Sequence, residues 1–168
     1  MSEMSDVDPG EICARKVVTP ADVLAMRRGY YRDGYITEAE ADALFAIEQS
    51  CPEQCPEWST LFVEALTDYV VNEAKPQGYV TRENVAWLKE RATVDGLVQT
   101  RNELELTVHV LEEARWSPAE LSALALAQVR RAIVEAAGPL RPDGKPGRGV
   151  VTASDVGLLR RILYAFAG

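Results

Sequence analysis

The sequence predicts an all-α protein, built from repeated helix–loop–helix units packed as an orthogonal helical bundle. Three observations point there. A short phrase, aliphatic-Thr-x-x-acid-or-amide, recurs five times: Val18-Thr19-Pro20-Ala21-Asp22, Ile36-Thr37-Glu38-Ala39-Glu40, Val80-Thr81-Arg82-Glu83-Asn84, Gln99-Thr100-Arg101-Asn102-Glu103 and Val151-Thr152-Ala153-Ser154-Asp155. Between the copies, apolar residues recur at helical spacing. Strand signals are confined to single aliphatic residues.

The phrase is a helix start. A Thr followed three residues later by an acid or amide forms a capping box, in which the hydroxyl accepts a first-turn N–H and the acid reaches back to the Thr N–H. Each such cap stabilises its helix by about 1 kcal/mol. The phrase and the apolar periodicity place helices near 20–32, 38–49, 58–74, 82–94, 102–115, 118–137 and 153–166. In the third, Leu61, Phe62, Ala65, Leu66, Tyr69 and Val70 form one apolar face; in the fifth, Leu104, Val108 and Leu111 do so. In the sixth, Leu121, Leu124, Ala125, Val129, Ala132 and Ile133 line a stripe behind the Ser117-Pro118-Ala119-Glu120 start. Val18, Ile36, Val80, Val98 and Val151 are expected to pair two by two across neighbouring loops as single bridges.

The repeat is longer than the phrase. Laid on residues 80–96, residues 18–34 match at both Val positions, the Thr and the closing Asp-Gly. Laid on residues 151–166, residues 18–33 match at Val18, Thr19, Asp22, Val23, Arg27, Arg28 and Tyr31. The organisation expected is an acidic disordered tail over 1–14 and a single helical domain over 15–168. That domain comprises unit 1 at about 15–76, unit 2 at about 77–137, a mobile Pro/Gly loop at 138–149 and the start of a third, truncated unit at 150–168.

Composition narrows the function classes. The chain has 168 residues and a net charge of −8. Residues 1–114 hold 10 basic and 22 acidic groups, and residues 115–168 hold 8 basic and 4 acidic. An acidic body argues against nucleic-acid binding. The basic end reads either as solvated helix faces at Arg130-Arg131 and Arg160-Arg161 or as a patch for an acidic partner. No apolar run approaches a membrane span, and no signal peptide is visible, so a cytoplasmic location is expected.

Two copies of the phrase follow an Asp-Gly step, Asp33-Gly34 and Asp95-Gly96. Asp-Gly-x-aliphatic-Thr-x-x-Glu between helices resembles the second half of an EF-hand calcium loop, which implies Asp33, the Tyr35 carbonyl, Thr37 and Glu40 as oxygen ligands. The family's first two ligand positions fall here on Gly29 and Tyr31, and in the second loop on Arg91 and Thr93. Gln99 shifts Glu103 out of register. Such loops imply calcium or magnesium binding in the weak millimolar range at most. The all-helical, acidic layout with two Asp-Gly loops is also similar to the tellurite-resistance TerB family over roughly residues 18–115. That resemblance implies a small cytoplasmic domain holding divalent cations through Asp33, Glu40, Asp95 and Glu103.

Other chemistry has little support. Cys13, Cys51, Cys55 and His109 do not make a known zinc spacing, and one histidine leaves little room for Ser-His or Cys-His catalysis. No Gly-rich phosphate loop is present, and Trp58, Trp87 and Trp116 read as core. The function expected is therefore a non-catalytic cytoplasmic interaction or adaptor module without a cofactor. Its partner is a protein, or a second copy met through the last helix, whose Leu158, Leu159, Ile162, Leu163, Tyr164 and Phe166 pack on the sixth helix or drive self-association. The alternative is weak calcium or magnesium binding at the Asp-Gly loops.

Overall fold

Five helices start on a threonine that trades hydrogen bonds with the residue three positions on. Thr19, Thr37, Thr81, Thr100 and Thr152 each accept, at the hydroxyl, the N–H of Asp22, Glu40, Asn84, Glu103 and Asp155, at 3.0–3.2 Å. Each of those side chains accepts the threonine N–H in return, at 2.8–3.1 Å. The boxes set the starts of α2 (Pro20–Tyr30), α3 (Glu38–Ser50), α5 (Arg82–Ala92), α6 (Arg101–Glu113) and α8 (Ala153–Ala167). Three others are entered through proline: α1 (Pro9–Arg15) and α4 (Pro56–Asp68) carry it in the first turn, where the missing N–H costs nothing, and α7 (Ala119–Glu135) has Pro118 as its N-cap. The computed structural model describes residues 7–30, 32, 34–73 and 76–167.

The structure is 68% helix, about twice the share in an ordinary globular protein. The strands are two-residue pieces, so the fold is all-α. No helix among the described residues is long and apolar enough to cross a membrane. One helix went unread in the sequence: α1 (Pro9–Arg15), where an acidic tail was expected. The Asp8 carboxylate accepts the Gly10 N–H at 2.9 Å, and Ile12 is buried. A short segment that buries only Ile12 carries no periodicity, which is why it reads as tail.

The chain divides into two compact units, residues 1–69 and 70–168. In the first, α1 packs on α3, and both α2 and α3 pack on α4. Its core is Val23, Met26, Leu44, Ile47, Trp58, Leu61, Phe62 and Leu66, with Phe45 edge-on to Phe62 at 5.4 Å. β1 (Val17–Val18) runs parallel to β2 (Glu53–Gln54), and the Cys55 N–H donates to the Val18 carbonyl at 3.1 Å. Buried Glu48 accepts from Trp58 Nε1 at 2.8 Å and from Gln54 Nε2 at 3.0 Å, which satisfies the indole inside the core.

In the second unit, α7 packs on α5 and α6, and α8 packs on α6 and α7. Its core holds Val80, Leu88, Val98, Leu106, Val108, Val110, Leu121 and Ile162. The Val80 N–H donates to the Trp116 carbonyl at 3.0 Å beside a bridge between Tyr79 and Trp116. β3 (Thr93–Val94) and β4 (Leu97–Val98) form a short antiparallel hairpin. Val18, Val80 and Val98 therefore do not pair with one another as expected. Val18 pairs with the entry to α4, the Val80 N–H with the entry to α7, and Val98 with Thr93 inside its own loop.

The Pro/Gly segment between α7 and α8 carries a one-turn 3-10 helix (Pro142–Gly144) and buries Leu140 and Arg141. The Arg141 guanidinium forks onto Asp155 at 2.9 and 2.6 Å and donates to the Val150 carbonyl at 2.8 Å, with both charged side chains 1% exposed. This ion pair fastens the segment to the first turn of α8.

Candidate functional site

Of the residues expected to ligate a cation in the first loop, Asp33 lies outside the described residues. Tyr35 is exposed beside Gly34, which sits at φ 78, and Ile36 turns into the core. Thr37 and Glu40 are the two halves of the α3 capping box, so one Glu40 oxygen is occupied by the Thr37 N–H at 3.0 Å. Burial, then the charge of Glu40, pushes the Tyr30 hydroxyl up to about 12, so that phenol stays protonated.

The second loop has a clear local cause. Asp95 (φ 52) and Gly96 (φ 78) are the two central residues of the hairpin joining β3 to β4. Positive φ at both positions is the type I′ turn, for which Asp-Gly is a preferred pair. Buried Gln128 of α7 clamps this turn: its Oε1 accepts the Val98 N–H at 2.9 Å, and its Nε2 donates to the Gly96 carbonyl at 3.0 Å and the Leu124 carbonyl at 2.9 Å. The Asp95 carbonyl accepts from Arg131 at 3.3 Å while its side chain is exposed. Glu103 is fully buried in the α6 capping box, with Oε1 on the Thr100 N–H at 3.1 Å.

The one group of three ligand-type side chains among the described residues stands elsewhere, on the outer side of α6. Glu105, His109 and Glu112 bring their ligand atoms within 4.8 Å of one another. Their spacing, i, i+4 and i+7, puts them on one helical face. Arg161 of α8 occupies both carboxylates, meeting Glu105 at 2.8 and 2.5 Å and Glu112 at 3.1 and 2.7 Å. His109 Nδ1 lies 3.7 Å from Glu112. The hydrogen bond from Arg161 outweighs partial burial and holds the Glu112 carboxyl below its ordinary range, and the Arg161 guanidinium is correspondingly raised. The cluster works as an ion-pair latch between α6 and α8; a metal ion there would have to displace the arginine.

The remaining cluster is apolar. The inward face of α8 carries Asp155 and Ile162, both buried. Its outward face carries Val156 (41% exposed), Leu163 (51%) and Tyr164 (76%), with Phe166 (71%) at the helix end. Across an open groove of about 600 Å³, Tyr164 and Phe166 stand opposite Leu111, Trp116 and Ala119. Trp116, expected in the core, is 52% exposed, because its backbone rather than its ring serves the bridge to Tyr79 and Val80. A surface helix of a soluble protein normally turns polar residues outward; a helix apolar on all sides is normally covered on all sides.

Sequence reasoning found the caps and the apolar composition of the last helix but not the Arg161 latch, whose partners are 49 and 56 residues away. The spacing of Glu105, His109 and Glu112 was visible; that an arginine would fill it was not. The three cysteines are unbridged, and burial raises the Cys51 and Cys55 thiols. Comparison with family models, with curated proteins and with solved structures finds no match to this chain.

Proposed function

We propose that this chain is a non-catalytic helical interaction module, of the adaptor kind, that works in the cytoplasm and docks a protein partner on the outward face of α8. One observation carries the reading: Tyr164 and Phe166 are more than half exposed and line one groove with Trp116, Leu163 is more than half exposed on the same helix, and Asp155 and Ile162 of that helix pack inward. Exposed aromatic clusters at the edge of a groove are the usual anchors of protein interfaces. Absence of catalysis is supported by the chemistry at hand. The chain's one histidine sits beside two carboxylates already held by Arg161, and the Cys51 and Cys55 thiols are pushed away from the reactive thiolate. The test is to replace Tyr164 and Phe166 by Glu. Solubility should rise and the melting temperature should stay within about 2 °C, because an uncovered face adds nothing to the chain's own stability. A fall of more than about 10 °C would mean these rings serve the fold and not a partner.

The proposal includes the duplication. A threonine-capped helix, a second threonine-capped helix and a proline-started helix follow one another in each unit, and in each the entry to the first lies beside the entry to the third. This order supports two copies of one EF-hand-like or TerB-like ancestor packed in the orthogonal manner, with Val151-Thr152-Asp155 opening a third. Weak calcium or magnesium binding at Asp33/Glu40 and Asp95/Glu103 is the companion reading. At Glu40 and Glu103 it competes with the capping boxes, which hold one oxygen of each carboxylate. A titration of either ion to several millimolar decides it: unchanged amide shifts and melting temperature remove the cation reading and leave the interaction reading standing.

A further inference from the structure

From the unpaired cations around the uncovered face of α8, we infer that the partner is an acidic amphipathic helix, laid along α8 with its apolar stripe on Val156, Leu163 and Tyr164. The inference rests on the interaction reading and adds the chemistry of the partner. α8 contains two arginines and one acid. The acid, Asp155, is buried against Arg141, so it presents no charge outward. Arg161 is spent on Glu105 and Glu112. Arg160 is left, exposed in the middle of the apolar stripe, with no ion-pair partner among the described residues. Two further exposed arginines without ion-pair partners among those residues lie along the flank of α8. Arg101 lies in the groove beside Ser154 and Gly157 at the start of α8, and Arg115 in the groove beside Tyr164 and Phe166 at its end.

The stripe therefore offers apolar area with Arg160 in its middle, two further arginines along the flank of α8, and no free carboxylate on α8. A second α8 laid antiparallel on the first would set Arg160 near its own copy, and like charges facing each other across an interface are unfavourable. A helix with leucines at i, i+3, i+4 and i+7 and glutamates on its flanks satisfies both the apolar area and the three arginines. This is the helix-in-groove mode of recognition with charge deciding the partner.

The experiment uses the full chain and two labelled helical peptides of about 18 residues, identical in their leucine stripe and differing only in flanking Glu or Lys. Anisotropy is expected to give the Glu peptide a Kd at or below about 100 µM, with the Lys peptide at least about tenfold weaker. Leu163→Asp should weaken the Glu peptide at least about tenfold, and Arg160→Glu should cancel or reverse the preference between the two peptides. Both changes sit at exposed positions, and circular dichroism confirms that the variants remain folded. If the Lys peptide binds as well or better, the acidic partner is overturned and the docking face survives. If sedimentation shows the chain dimerising and Leu163→Asp making it monomeric, a second copy covers the face, and the acidic helix is likewise overturned. If neither peptide binds the unsubstituted chain, the proposed partner chemistry fails, and the docking face is then judged by its own test with Tyr164 and Phe166. Binding that Leu163→Asp leaves unchanged places the peptide somewhere else and overturns the inference.

Discussion

Arg141 and Asp155 form the most deeply buried ion pair among the described residues, and the energetics of that pair set a sharp expectation. Removing one partner strands the other charge in a low-dielectric site, which costs about 3–5 kcal/mol. Asp155→Asn should therefore destabilise the chain by about 3 kcal/mol in urea unfolding at neutral pH. The hydrogen bond from Arg141, aided by Thr152 and opposed by burial, holds the Asp155 carboxyl below its ordinary value. A carboxyl depressed in the native state adds stability that is fully present above its unfolded pKa and lost as pH falls through the lower native value. The acid limb of stability against pH should be shallower in Asp155→Asn. Gln128 is a second such point: Gln128→Met leaves the Val98 N–H buried without this partner, at about 1–3 kcal/mol, and removes the bond to the part-buried Gly96 carbonyl. Neither residue announced itself in the sequence, where Arg141 reads as part of a Pro/Gly loop and Gln128 as one polar residue in a helix. Their meaning depends on contacts 14 and 30 residues away.

At the scale of elements, the legible part was local. The five threonine phrases all became reciprocal caps, because a capping box is decided within four residues. The Asp95-Gly96 step was also visible, but two local structures compete for it: half of a cation loop, or a type I′ hairpin. The hairpin account makes a distinguishing prediction. Asp95→Asn should leave stability within about 0.5 kcal/mol, since Asn-Gly suits the same turn. Gly96→Ala, forced to φ 78, should cost about 1 kcal/mol, although a Cβ there meets nothing within 4 Å. Thermal melts of the two variants, with and without calcium, check this. A large loss for Asp95→Asn that depends on calcium would return the loop to the cation reading. α1 shows the opposite limit: one buried Ile12 and an Asp8 cap make a seven-residue helix that no periodic pattern could reveal.

At the scale of the whole molecule, fold class followed from apolar periodicity and the scarcity of strand signals; the repeat in the sequence put a unit boundary near residue 76, and packing divides the chain after residue 69. The candidate site was half legible. Leu163, Tyr164 and Phe166 stood out as apolar residues spread around a helix, but which of them stay uncovered depends on how α8 lies against α6 and α7. Trp116 reads as core by composition and stands exposed because its main chain is what the fold uses. The central claim is that this face meets another protein. It is tested most directly by placing the photo-crosslinker p-benzoyl-phenylalanine at position 164 in one sample and at exposed position 90 in another, and irradiating the chain inside living host cells. The account predicts one discrete crosslinked species from position 164, lost when Leu163→Asp is added and absent from position 90. Equal, diffuse crosslinking from both positions would contradict it.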